Sequence, residues 1–147
     1  MDNGIKSRLL IHRILFEIKT KNKNLDNHSI QKKINRFNEK DRAFIYNVIL
    51  NSMRYYFHIT QILNLYLSKK PKLKHRLILV SAITQIVFLD FKEYAVINCS
   101  VEISKKLKLH HGFINASLKN IAKDKIKLKN TNIIYSDLPE WFCNETK

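Results

Sequence analysis

From Asn38 the chain runs to Pro71 without a glycine or a proline, and Phe44, Val48, Tyr55, Ile59, Leu63 and Tyr66 recur along it at helical or doubled-helical spacing. Such spacing gathers side chains on one face of a helix, whereas a strand needs a period of two. Nothing in the stretch forces the backbone to turn, and Asn51 and Ser52 are where a bend is expected. The whole chain holds two glycines and two prolines in 147 residues, and strand-like alternation bounded by turn residues is hard to find. The chain reads as an all-α bundle.

The other segments fit that frame. Leu10, Ile14 and Ile18, with Ile11 and Leu15 beside them, give an apolar stripe to a helix predicted over 5–19, surrounded by Lys6, Arg8, Arg13 and Lys19. Ser29 and Asn38 are the expected N-caps of a short helix over 30–37 and of the long one that follows. A basic connector around Pro71 leads into a helix predicted over 73–89. Its apolar run, Leu77 to Phe91, is interrupted by Ser81, Thr84, Gln85 and Asp90. It falls short of the roughly 18 residues a membrane span needs, so it reads as a buried helix. Helices over 95–107 and 113–126 complete a bundle of about six or seven. Gly112 is expected to supply an unhindered φ in the turn between those two. These elements form one domain over 1–129. Residues 130–147, with Pro139 and no helical face, read as a linker.

Most catalytic chemistry is excluded. Two glycines cannot build a phosphate-cradling GxGxxG or GxxxxGK[ST] loop. The six histidines are scattered and form no HExxH, and the adjacent His110 and His111 do not by themselves build a metal site. Cys99 and Cys143 show no ligand spacing, which fits a reducing compartment and makes Cys99 a small buried hydrophobe. Asp90 and Glu93 suit the cap of a turn better than acid–base work. No catalytic residue, metal or cofactor is expected in this chain, and the absence of a signal-peptide pattern points to the cytoplasm.

Charge is what remains. The chain carries 27 Lys+Arg against 12 Asp+Glu, a formal net charge of +15. A Lys-, Asn- and Ile-rich composition follows from an A+T-rich genome, but the same bias would also supply acids. The surplus therefore argues for a polyanionic partner, RNA or DNA first and anionic lipid second. A membrane surface is disfavoured because the apolar faces are used in the core. Three regions hold most of the surplus: residues 1–37, the connector residues Lys69, Lys70, Lys72, Lys74 and Arg76, and residues 104–129. Arginine is scarce, and its fork grips phosphate bidentately, so Arg8, Arg13, Arg42 and Arg54 stand out. Tyr55 and Tyr56 beside Arg54 suit either base stacking or the core.

Four segments resemble a known family. "QIVFLD" (Gln85 to Asp90), "AVIN" (Ala95 to Asn98) and "GFINASLK" (Gly112 to Lys119) resemble the NusB-type RNA-binding domain, and "KDRAFIYNVILNSMRYY" resembles its upstream Asp-Arg-Ala and Leu-Arg segment. Asn51 stands where the family usually has glycine, and Lys92–Glu93 replaces a proline-bearing turn. The resemblance implies two packed helical subdomains held by Gln85, Asp90, Asn98, Gly112, Asn115 and Ala116. Asn115 would be a buried, hydrogen-bonded polar residue, and Ala116 would permit close helix approach. With the basic surface read above, the expected RNA contacts are Lys6, Arg8, Arg13, Arg42, Arg54, Lys119 and Lys123.

Two branches share this domain. One is the free-standing transcription antitermination factor, which binds RNA with a small ribosomal protein. The other is the N-terminal domain of Sun/RsmB-type methyltransferases, which modify cytosine in small-subunit ribosomal RNA. Lys119, Arg54 and the "LPEWF" element (Leu138 to Phe142) resemble the second. That branch implies an S-adenosylmethionine-dependent catalytic domain outside this chain.

Overall fold

A computed structural model describes residues 2–130, which fold as eight α-helices with no strand. The tail expected to act as a linker lies almost wholly outside the described residues. Helix α1 spans Asn3–Lys21, starting earlier than expected because the Asp2 carboxylate accepts the Gly4 N–H at 3.0 Å. It stops at Asn22, whose φ of 51° suits an asparagine in the left-handed region. Helix α2 spans His28–Ile34 and is capped by Asn27 rather than Ser29: the Asn27 side chain accepts the N–H groups of Ser29 and Ile30 at 3.0 and 3.3 Å. Asn38 caps α3, Glu39–Arg54, as expected, accepting the Asp41 N–H at 2.8 Å.

The long glycine-free segment does break, but at Tyr55 and not at Asn51 and Ser52. Asn51 stays helical, its amide donating back to Asn47 O at 2.8 Å. Tyr55 leaves helical geometry, and its ring stacks on Phe88 at 4.1 Å and 3°, fixing where α4, Tyr56–Tyr66, begins. That break and a short last helix raise the number of helices to eight.

Helix α5, Leu73–Ile83, is buried on every side from Leu77 onward and passes into one π-helical turn, Thr84–Phe88. The π turn has a local cause. Thr84 Oγ1 donates to Val80 O at 2.8 Å and Gln85 Nε2 to Ser81 O at 3.1 Å, competing for the carbonyls an α-helix would use. Asp90 then takes φ 57° and ends the segment. Helices α6 (Glu93–Lys106), α7 (His111–Ala122) and α8 (Lys125–Lys129) follow.

Two apolar cores give the two helical subdomains. Ile11, Ile14, Leu15, Ile30, Ile34, Ile45, Val48 and Ile49 of α1–α3 form one, joined by Leu77 of α5. The larger core gathers α4–α7 around Leu79, Ile83, Val96, Ile114 and Leu118, with Leu9 reaching in from α1. Each fully buried isoleucine contributes about 1.5–3 kcal/mol. Leu9 and Leu77 are the exchanged residues, so α1 and α5 rivet the two halves. No helix among the described residues is long and apolar enough to cross a membrane.

The turn before α7 corrects one expectation. Gly112 does not have positive φ; it is the second residue of α7, and an added Cβ would meet the His110 ring at an ordinary 3.4 Å. Lys108 bears the left-handed φ, 58°. Its N–H donates to Lys105 O at 3.1 Å and the Leu109 N–H to Ser104 O at 2.8 Å, the two bonds of a Schellman motif closing α6.

Candidate nucleic-acid interface

The residues expected to contact RNA separate into three groups. Arg8 is half-buried and turned inward: its Nε donates to Gln85 Oε1 at 2.7 Å, its Nη1 to Gly4 O at 3.2 Å, and its guanidinium lies 4.9 Å from the Phe44 ring. Gln85 is buried, and its amide also bonds Ser81 O and Oγ, so all of its polar atoms are satisfied. Arg8 thus locks α1 to the π turn. Gly4 makes room, since a Cβ there would sit 3.2 Å from Arg8 Nη1. Arg42 likewise turns inward, donating to Phe37 O at 2.8 Å to brace the α2–α3 turn.

Lys6, Arg13, Arg54, Lys119 and Lys123 are exposed. Arg54 lies 5.5 Å from the Tyr55 ring, whose Phe88 stack makes Tyr55 a packing residue. Arg13 lines a cleft of about 270 Å³ with His12, Lys21, Lys33 and Lys74, together with Glu17, which pairs with Lys33 at 3.5 Å. Burial pushes the His12 ring below its usual pKa, reinforced by Lys74 and Arg13, while its hydrogen bond at 3.0 Å to the Lys74 carbonyl works the other way. The neutral ring donates from Nε2 and ties α1 to the start of α5.

Helix α7, which carries Lys119 and ends before Lys123, borders a more specific feature. A groove of about 450 Å³ runs between the α4–α5 connector and α7, lined by Tyr66, Lys69, Lys70, Phe113, Ala116 and Asn120 among others. Phe113, Ala116 and Asn120 follow one another at i, i+3 and i+7, one face of α7. The Tyr66 hydroxyl donates to an Asp124 carboxylate oxygen, which sets the ring against the groove and raises its pKa to about 12, through burial first and then the carboxylate. Aromatic rings, an amide and lysines with no ion pair among the described residues, gathered in one concave site, can stack a base, read its edge and neutralise its phosphate.

This geometry also corrects the reading of the motif residues. Ala116 is exposed and lines the groove, so its small size opens a surface cavity and does not seat a helix contact. Asn115 is only half-buried and makes no side-chain hydrogen bond among the described residues; Ser117 and Leu118 are the buried positions. Asn98 is exposed, and α6 starts at Glu93, before the Ala95 expected from the motif. Asp90 is exposed, held by Lys125 and Lys129 at 3.3 and 2.9 Å, so those two lysines are less free for a ligand than their neighbours. The histidine pair has a structural use, because His110 Nδ1 accepts the Phe113 N–H at 2.9 Å and caps α7. The described residues contain no group of three or more metal-ligating side chains. Cys99 is half-buried, and burial raises its pKa.

Sequence reasoning named the connector lysines as a cluster but missed the partner surface supplied by Phe113, Asn120 and Tyr66. Their only signal was residue type, because the groove unites segments about 50 residues apart. Comparison with known proteins places the chain. No curated protein and no solved structure gives a significant match. The family model described as NusB family matches residues 5–123, from α1 through the end of α7, and the chain therefore belongs to the NusB family.

Proposed function

We propose that this domain is the RNA-docking module of a ribosomal RNA cytosine-5 methyltransferase. RNA binding rests on one observation above the rest: the connector groove, where Lys69 and Lys70 meet Tyr66, Phe113 and Asn120. Family membership supports the same partner. The methyltransferase branch is favoured by exposed Lys119 and Arg54 and by the "LPEWF" element, which lies outside the described residues. The module recruits small-subunit ribosomal RNA in the cytoplasm by phosphate contact and shape. S-adenosylmethionine and the methyl-transfer chemistry belong to a separate catalytic domain.

Two measurements test this reading. Affinity for a ribosomal RNA fragment should fall steeply with salt. Neutralising ~5 phosphates lowers log K by roughly 3.5–4.5 per decade, and a flat response removes the phosphate-contact reading. An immunoblot of source cells should give a band far above 17.5 kDa. A band at that mass, with copurification of a small ribosomal protein, transfers the assignment to a free-standing antitermination factor.

A further inference from the structure

Lys70 and Pro71 line a second groove as well as the first. It has a volume of about 230 Å³ and is walled by Tyr56, Phe57, Thr60, Asn64 and Arg76. Tyr56 and Phe57 meet edge to face at 5.9 Å and 86°, forming an aromatic corner. On its other side Tyr56 carries Lys19, whose Nζ lies 3.6 Å from the ring centroid. The cations here are unusual. Lys19, Lys70 and Arg76 form no ion pair among the described residues. Arg76 Nε is buried without a hydrogen-bond partner, and Nη1 has only a 3.5 Å contact to Pro71 O. Lys19 is close enough to Arg76 for the two charges to repel; burial and that repulsion both lower the Lys19 pKa. Like charges held together with a buried donor left over are unfavourable unless an anion joins them.

We propose that this second groove is a nucleotide pocket for single-stranded RNA, with one base against the Tyr56 ring and its phosphate held by Arg76 and Lys70. The inference rests on the RNA-binding reading above and adds a strand path: Lys70 and Pro71 form the ridge over which the RNA passes from the connector groove into the second pocket. Asn64 and Thr60 offer hydrogen bonds to the base edge. Occupation of the pocket requires an unpaired base, because a base within a duplex has no free face to lay on an aromatic ring.

The test uses the 147-residue chain and labelled RNA strands of about four and about twelve nucleotides, with the longer strand also supplied as a duplex. Lys69 lines the first groove and not the second, so Lys69→Gln should weaken both strand lengths. Arg76→Gln should weaken the long single strand by about ten-fold and leave the short strand unchanged within two-fold. Asn64 is exposed, so Asn64→Trp fills the pocket without disturbing the core and should reproduce the Arg76→Gln result even if that variant folds poorly. Ultraviolet crosslinking of the long strand should mark Tyr56. If Lys69→Gln weakens binding while Arg76→Gln and Asn64→Trp leave the long strand unaffected, the second pocket is wrong and the first groove stands. If duplex binds as tightly as single strand and is equally sensitive to Asn64→Trp, the groove contacts phosphate only and the base pocket is wrong. Loss of RNA binding in none of the variants removes both readings.

Discussion

The junction around Arg8 and the groove around Arg76 differ in one respect, the supply of oxygen. Arg8 reaches from α1 into the protein and finds Gln85 Oε1 and Gly4 O. Arg76 sits near the start of α5 with Nε unpartnered, Lys19 as a neighbouring like charge and two aromatic rings as walls. A guanidinium whose donors are satisfied internally is architecture. One left short of acceptors, at the mouth of a concave site, is prepared for a ligand that brings its own oxygens. Residue type and helix propensity do not separate the two; the surroundings do.

The contrast can be broken most directly at Arg8. Arg8→Ala removes charge-assisted bonds and strands the Gln85 carbonyl, so denaturant unfolding should show a loss of about 2–3 kcal/mol. RNA affinity of the folded fraction should change less than two-fold, and a large affinity loss with native stability would move Arg8 to the RNA face. Arg76→Gln should behave in the opposite sense. Relief of its repulsion with Lys19 should leave stability unchanged or raise it by up to about 0.5 kcal/mol at low salt, and clear destabilisation would make Arg76 architectural too.

Titration sharpens the same distinction. His12 is held neutral, with its pKa below 6.5, so between that value and its folded pKa the unfolded chain binds more protons. Stability should therefore fall as pH drops below 6.5, and His12→Gln should flatten that part of the profile. Asp90 has its pKa lowered below 3.8 by the hydrogen bonds from Lys129 and Lys125. Its contribution is present above about pH 4 and is lost as pH falls through the lowered value, so Asp90→Asn should lower stability slightly above about pH 4 and flatten the acid limb. The smallest effect belongs to the turn before α7. Lys108→Gly should stabilise by about 0.5 kcal/mol by relieving the left-handed strain at Lys108, whereas Gly112→Ala should be tolerated, and thermal melts of the two variants check both.

The features that reach through space account for what the sequence hid. Nothing in the helical spacing showed that Tyr55 would end α3, because the cause is Phe88, 33 residues away. Asn115 and Ala116 looked like a packing motif, yet the face of α7 that packs is set by Ile114, Leu118 and Ile121. Gly112 looked like the turn residue, but the Schellman bonds placed the left-handed residue at Lys108. The connector lysines were visible as a cluster, but Phe113 and Asn120, which close the groove opposite them and Tyr66, come from the distant helix α7.

The amino-acid sequence by itself determined the all-α class, the approximate helices, the absence of a phosphate loop and the excess of positive charge. Those properties rest on local spacing and composition, which fix backbone conformation over a few turns. Only the tertiary structure decided which cations are consumed inside the protein and which face a groove. That decision depends on acceptors and rings contributed by distant segments, whose distances exist only once α1, α4, α5 and α7 have packed.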